Sequence, residues 1–452
     1  MSEKKRIYLC LAHMSESGLE QHYIKEAFDT NWVVPLGPNV NGFEADLEQF
    51  INNNEPCTMN PAPTKRVVAL CSGTAAVHLG LIAAGVKAGD EVLVQSFTFC
   101  ASTHPITYIG ATPVLVDSES DTWNMDPELL ETAIKDRISK TGKKPKAIVP
   151  VYLYGMPAKL DEIIAIARKY EIPVVEDAAE GLGSRYKGQV CGTFGDYGVL
   201  SFNGNKMITT SGGGALICPN EEMWRRVMFF ATQAREAYPY YQHEEIGYNY
   251  RMSNICAGIG RGQMMVLEDH IAHHRHIADM YREAFKDVDG ITFHDEKEGM
   301  KSNFWLNTIV LDEHLHVKGE ENAYAESVKG AVGGAAGVVH GGGSVHTDCE
   351  PNRNVEAMRL ALDAVGIESR PLWKPMHKQP VYCAPLNDKG EMIFEELPNG
   401  VICQTSASSV AYINGVSEDL FHKGLCLPSG PCVSDEDVER ISNAIKSNII
   451  GS

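Results

Sequence analysis

The sequence predicts an α/β fold: a large unit built on a mostly parallel sheet, followed by a smaller α+β C-terminal unit. Three observations carry that expectation. Short apolar runs alternate with helix-like segments over residues 66–216, the rhythm of βαβ crossovers that cover both faces of a sheet with helices. Ser72, Asp177 and Ser201 fall at or just past the ends of such runs, where ligands gather in open sheets. After Met264 the rhythm gives way to one long polar helical stretch, VLEDHIAHHRHIADMYREAFKDV, which reads as a bridge to a second unit beginning near Gly290.

In chain order, RVVALC is a strand leading into the helical AAVHLGLIAAGV, and EVLVQS is the next strand. TPVLVD is followed by PELLETAIKD, KAIVPVY by KLDEIIAIARKY, and IPVVED closes the series. The right-handed crossover rule narrows the strand order without fixing it. The division this implies is a large domain over residues 1–265 and a small domain over residues 266–452. Two parts of the second unit read as long connections. Residues 318–353 include VKGAVGGAAGVVHGGGSVH, a Gly/Ala/Val-rich insertion without clear periodicity, and residues 386–416 space two recognisable blocks widely.

Composition excludes several classes. At 452 residues with 44% hydrophobic content, the chain can bury a sizeable core. Its 59 acidic against 40 basic residues give a formal charge of −19, which opposes a general nucleic-acid role. No apolar run reaches membrane-spanning length, no basic amphipathic helix is evident, and the opening MSEKKRIYLCLAHMSE has only a short apolar stretch, so a soluble cytoplasmic protein is expected. The twelve cysteines, Cys10, Cys57, Cys71 and Cys100 among them, form no CxxC pair and read as reduced core thiols, with no metal expected.

The strongest chemical signal is SFNGNKMITTSGGGAL, residues 201–216, with VVEDAAEGLG at residues 174–183 upstream. Lys206 lies among glycines that leave room for a ring to approach closely, and Asp177 closes an apolar strand. A lysine and a shielded carboxylate aimed at one place are what pyridoxal phosphate (PLP) chemistry needs: the amine holds the aldehyde, and the acid keeps the ring nitrogen protonated. A solvated lysine and a helix-capping aspartate are the plainer readings of the same two residues. SGTAA puts Gly73, Thr74 and Ala75 at a helix start, where open N–H groups attract an anion, though an ordinary N-cap looks the same.

These runs, together with LCSGTAAVHLGL, QSFTFCAS, HEEIGYNYRMSNICAGIGRGQM and ESRPLWKPMH, resemble the DegT-type sugar-nucleotide aminotransferases, which are fold-type-I PLP enzymes. The resemblance implies Lys206 and Asp177 as the catalytic pair and a cofactor site of Gly73, Thr74, Ala75, Phe99, Asp177, Glu180, Ser201 and Lys206. Phe99 would stack on the ring and Ser201 would bind the phosphate, while Glu180 stands where many relatives carry glutamine or histidine. Asn249 and Arg251 would reach the phosphate of a neighbouring subunit, which makes a homodimer with shared sites the expectation. Arg370, Trp373, Lys374 and His377 combine cations, an aromatic face and an imidazole suited to a nucleotide diphosphate. The implied reaction converts a keto group of a nucleotide-linked deoxysugar to an amine, with L-glutamate as donor; SFNGNK, GYNYRMSN and RPLWKPMH are most similar to members acting on UDP-2-acetamido-4-keto-6-deoxyhexoses. Lysine rather than histidine at position 206 favours transamination over dehydration. A non-nucleotide cyclic ketone as substrate, and a non-catalytic PLP-fold binding protein, remain open at this point.

Overall fold

The structure, a computed structural model, describes residues 5–53, 64–324, 349–386 and 391–450. Five strands form where the runs predict them, β1 (Arg66–Leu70), β2 (Glu91–Gln95), β3 (Thr112–Val116), β4 (Ala147–Val149) and β5 (Val175–Asp177); after the short hairpin β6 (Arg185–Tyr186) and β7 (Gln189–Val190), β8 (Tyr197–Ser201) and β9 (Gly214–Cys218) bring the strands with apolar cores to seven. Val67 to Leu70, Val92 to Val94 and Val114 to Val116 are all fully buried, because helices cover both faces of the sheet. The helices Gly73–Ala83, Pro127–Thr141 and Leu160–Tyr170 occupy the predicted crossovers. Asp126 caps the second by accepting N–H bonds from Glu128 and Leu129.

The hydrogen-bonded order is β3-β2-β4 on one side and β5-β8-β9-β1 on the other. Parallel bridges from Ile148 to Val174 and from Val151 to Asp177 join the halves into one sheet. β9 runs antiparallel to both β8 and β1; the other neighbours within these seven strands are parallel.

The bridging helix spans Leu267–Phe285 and buries Ile271, Ile277, Ala278, Tyr281 and Phe285. Beyond it, β10 (Ile291–Phe293), β12 (Asn307–Leu311), β13 (Arg370–Pro371) and β17 (Gly424–Leu427) form an antiparallel sheet with its own core. A two-residue strand, β11 (Met300–Lys301), instead pairs with β6.

Residues 386–416 differ from the expected long connection. They contain β14 (Ile393–Glu396), β15 (Ile402–Thr405) and β16 (Val410–Ile413), and β16 pairs in parallel with β3, so this part of the C-terminal stretch extends the large sheet. VAYI is an apolar run that becomes fully buried there. Asp117, just past β3, anchors the following turn by accepting N–H bonds from Asn414, Gly415 and Ser417. Most of the Gly-rich insertion, residues 325–348, lies outside the described residues. Among the described residues no helix is long and apolar enough to cross a membrane. The eleven described cysteines are all free; Cys57 lies outside the described residues.

Candidate active site

The carboxyl ends of β1, β2, β5 and β8 converge on a cavity of about 340 Å³, within the range of small-molecule sites. Ser72, Gly73, Thr74, Phe99, Asp177, Glu180, Ser201, Lys206 and Trp373 all line it, so residues far apart in sequence meet where the strand ends predict.

Asp177 ends β5 because the chain turns sharply there. Its Oδ1 accepts the Ala179 N–H at 3.1 Å and its Oδ2 accepts the Ser102 hydroxyl at 2.6 Å. The side chain therefore caps the turn and lines the cavity at once. Burial pushes the Asp177 carboxyl above the usual range, against the Ser102 and Ala179 hydrogen bonds and the Lys206 charge, which pull it down.

Lys206 closes a tight turn, its N–H donating to the Asn203 carbonyl at 3.0 Å. Its Nζ lies 3.3 Å from Glu180 Oε1 and 4.0 Å from the centre of the Trp305 ring, with the side chain 13% exposed. The Trp305 indole N–H donates to the Asn205 carbonyl at 2.7 Å, fixing the turn that carries the lysine. This is a sheltered amine, not a solvated one.

On the opposite wall, Ser72 caps the helix Gly73–Ala83 by accepting the Ala75 N–H at 3.1 Å. The N–H groups of Gly73 and Thr74 are the remaining open donors of that first turn. Ala75, expected as an anion donor, is corrected: its N–H is taken by the cap, and it does not line the cavity. A Cβ at Gly73 would sit 3.0 Å from Ser201 Cβ and 3.2 Å from its Oγ, so glycine lets the Ser201 hydroxyl lie against the helix start. These residues suit PLP: an amine, a buried acid, an anion cradle and the aromatic Phe99 border one space of fitting size.

Two further expectations, for Arg370 and His377, are not met, while the one for Arg251 concerns a neighbouring subunit. Arg251 does not line the cavity; its Nη1 is paired with Glu44 Oε1 at 2.5 Å and with the Ala69 carbonyl, both partners of the ion pair being nearly buried. Arg370 is tied to Glu368 at 3.0 Å outside the cavity. His377 is fully buried between Ser96, 2.7 Å from Nδ1, and Glu418, 3.0 Å from Nε2, so it is a packed imidazole and not a substrate ligand. Burial opposes the ionisation of Glu418, but hydrogen bonds from His377 and Lys378 prevail and hold its carboxyl down at about 2. Glu418 also lies within 4.8 Å of Cys349 and His422, although its bonds to His377 and Lys378 leave little for a metal. The His377→Ala variant is expected to lose roughly 1–3 kcal/mol of stability, from a partner deleted in a buried network, with unchanged substrate KM; urea melts and kinetics would check both.

Asn249 is exposed and lies outside its own chain's cavity. Trp373 and Lys374 border an adjoining cleft of about 530 Å³ together with Phe99, His104 and Gln379. The sequence reading missed Ser102, which lies inside the quoted block QSFTFCAS, and Trp305, for which NFWLN carries no spacing signal.

The profile of the DegT/DnrJ/EryC1/StrS aminotransferase family matches residues 15–332. EpsN of Bacillus subtilis (strain 168), provisionally named a pyridoxal phosphate-dependent aminotransferase, is 42% identical over 437 residues, covering 97% of this chain and 94% of its own. The GDP-perosamine synthase of Escherichia coli O157:H7 is 32% identical over 438 residues, 97% of this chain and 98% of its own. Among solved structures, a DegT DnrJ EryC1 StrS aminotransferase from Brucella abortus is similar with a TM-score of 0.74 at 27% identity, over 95% of each chain.

Proposed function

We infer that this chain, which belongs to the DegT/DnrJ/EryC1/StrS aminotransferase family, converts a keto group of a nucleotide-linked 4-keto-6-deoxysugar to an amine with L-glutamate as donor. The enzyme is a PLP-dependent sugar aminotransferase. The observation that carries the finer reading is the placement of Lys206 and the buried Asp177 on one cavity that shares Thr98, Phe99 and Trp373 with the adjoining cleft.

PLP supplies an electron sink for the charge that develops when a C–H bond beside nitrogen is broken. The chain's own residues do the rest. Lys206 would hold the cofactor at its aldehyde and, when free, would offer Nζ as the proton carrier at this place in the cavity. Asp177, kept in place by Ser102 and Ala179, would hold the cofactor's ring nitrogen and keep it protonated. The N–H groups of Gly73 and Thr74, with the Ser201 hydroxyl, line the cavity and would hold the phosphate. Trp305 and Glu180 keep bulk water from the amine.

For the sugar nucleotide, Phe99 and Trp373 offer aromatic faces and Lys374 a cation at the cleft. The indole N–H of Trp373 is buried without a partner among the described residues and is a donor left for a ligand. A homodimer fits the same picture. Tyr240, Tyr241 and Ile246 expose large apolar side chains, and the exposed Asn249 follows them closely in sequence, outside its own chain's cavity.

The substrate implied by the sequence motifs is a UDP-2-acetamido-4-keto-6-deoxyhexose. A GDP-linked ketosugar is the second reading, favoured by the 32% identity to GDP-perosamine synthases. A glutamate-dependent assay against UDP-, GDP- and dTDP-linked ketosugars and a free ketocyclitol separates these. Turnover with one nucleotide class at least about tenfold above the others is expected, a difference of roughly 1.4 kcal/mol in transition-state binding. Preference for the free ketocyclitol would overturn the nucleotide-sugar assignment.

A further inference from the structure

Tyr154 stands in a backbone conformation that its residue type rarely adopts. It occupies the turn Leu153–Gly155 past β4, with φ 56° and ψ 15°, the left-handed region that favours glycine. Neighbours hold the turn in that shape. The Tyr154 N–H donates to Glu180 Oε2 at 2.8 Å, the Gly155 N–H donates to the Tyr152 carbonyl at 3.0 Å, and the Gly155 carbonyl accepts the Ser184 and Ser302 hydroxyls at 2.6 and 3.0 Å. Strain that so many bonds maintain points to a use, and the use lies in where the side chain goes.

Tyr154 does not itself line the cavity. Its hydroxyl oxygen accepts the Trp373 N–H at 2.8 Å, and the two rings lie 5.8 Å apart. Burial pushes the phenol well above its usual range, so the oxygen stays a neutral acceptor, with the Cys426 thiol of β17 against it. Trp373 follows the point where the chain leaves the antiparallel sheet: the Leu372 N–H donates to the Gly424 carbonyl at 3.2 Å, whereas the Met376 N–H donates to the Ser96 carbonyl, just past β2, at 2.8 Å. Between those anchors the Tyr154 hydroxyl holds the backbone that carries the indole. That indole borders both the cavity and the adjoining cleft, 5.8 Å from the Phe99 ring, and its own N–H is buried without a partner among the described residues.

Resting on the nucleotide-sugar reading above, we propose that Tyr154 is a positioning residue for the sugar nucleotide: its hydroxyl sets the place of Trp373 between cavity and cleft, and through Trp373 the fit of the nucleotide-bearing substrate. Glutamate is the smaller reactant. It needs the cavity at Lys206 and not the adjoining cleft of about 530 Å³, so the tyrosine weighs on one substrate of the two. Phenylalanine at this position keeps the buried ring and removes the acceptor. The Trp373 N–H is then left to seek another partner, and the indole is free to shift.

A double-mutant cycle on the full chain tests this, with glutamate and whichever of the UDP-, GDP- and dTDP-linked ketosugars the wild type turns over fastest. Tyr154→Phe is expected to raise the ketosugar KM about fivefold, with kcat, the glutamate KM and the absorbance of bound cofactor within about twofold of wild type. Trp373→Ala is expected to raise the same KM further. Adding Tyr154→Phe to it should then change that KM by less than about twofold, because the tyrosine acts through a side chain already gone. A tyrosine that only supports the fold would raise both KM values, or its factor would multiply with that of Trp373→Ala; either result overturns the proposal. Hydrogen exchange on the wild-type chain decides the case even if Tyr154→Phe folds poorly: the Trp373 amide is expected to be protected at least about tenfold, and exchange at the rate of an open amide overturns its bond to Tyr154. Wild-type preference for a free ketocyclitol would overturn the nucleotide-sugar reading itself, whereas a nucleotide-sugar preference with multiplying factors overturns the role of Tyr154 alone.

Discussion

Lys206→Ala is expected to abolish glutamate-dependent amination and the visible absorbance of bound cofactor while leaving the chain folded. Losing a positioned proton carrier alone costs roughly 10²–10⁴ in rate, and here the same residue is also the covalent anchor, so kcat should fall to the upper end of that range or beyond it. The fold should survive because the side chain makes few contacts: Glu180 Oε1 at 3.3 Å and the Trp305 ring. Truncation leaves Glu180 without its cation, a loss of roughly 1–3 kcal/mol that protonation of an already raised carboxyl would soften. Lys25→Ala is the matched control, since Lys25 is 73% exposed in an i,i+4 pair with Asp29 and should keep both absorbance and turnover. Turnover within about tenfold of wild type in the Lys206 variant would remove the amine from the mechanism.

What the sequence disclosed about this site, and what it did not, divides along a physical line. The strands were legible because burial on both faces demands unbroken apolar runs such as VVAL and VLV, and a run needs no partner to be recognised. Asp177, Ser201 and Lys206 were legible because they follow such runs in motifs of known spacing. The misread features are those decided by a partner distant in the chain. His377 belongs to a motif rich in ligand-like residues but packs between Ser96 and Glu418. The strands after residue 390 alternate weakly, and their pairing onto β3 depends on a parallel register that local sequence does not encode. Trp305 illustrates the same limit from the other direction: nothing in NFWLN marks it, and only the fold brings its ring over the Lys206 amine.

Asp177→Asn should separate stability from function in opposite directions. In the cofactor-free protein the Asp177 carboxyl is 4% exposed, and burial raises its folded value above the unfolded one. The folded state therefore binds more protons than the unfolded state in the window between the two values, so stability falls as pH rises through that window, and the penalty persists at neutral pH. Asparagine carries no such penalty. Its amide can still accept one bond and offer another where Ala179 and Ser102 now donate, and Ser102 can turn its own proton to Thr98 Oγ1 at 2.8 Å. The cofactor-free variant is thus expected to melt above the wild type at about pH 7, with the gap closing as pH falls toward about 4, near the unfolded value of an aspartate. With PLP present the order should reverse, because the wild-type carboxylate then has a cationic ring nitrogen to pair with and the amide does not. Activity should drop by roughly 10²–10³ in kcat, the usual cost of deleting one preorganised electrostatic partner. Thermal melts at both pH values, with and without cofactor, test all of this together. A cofactor-free variant less stable than wild type at neutral pH, or one that gains as much stability from PLP as the wild type does, would mean that Asp177 is a structural cap and not the acid that faces the ring.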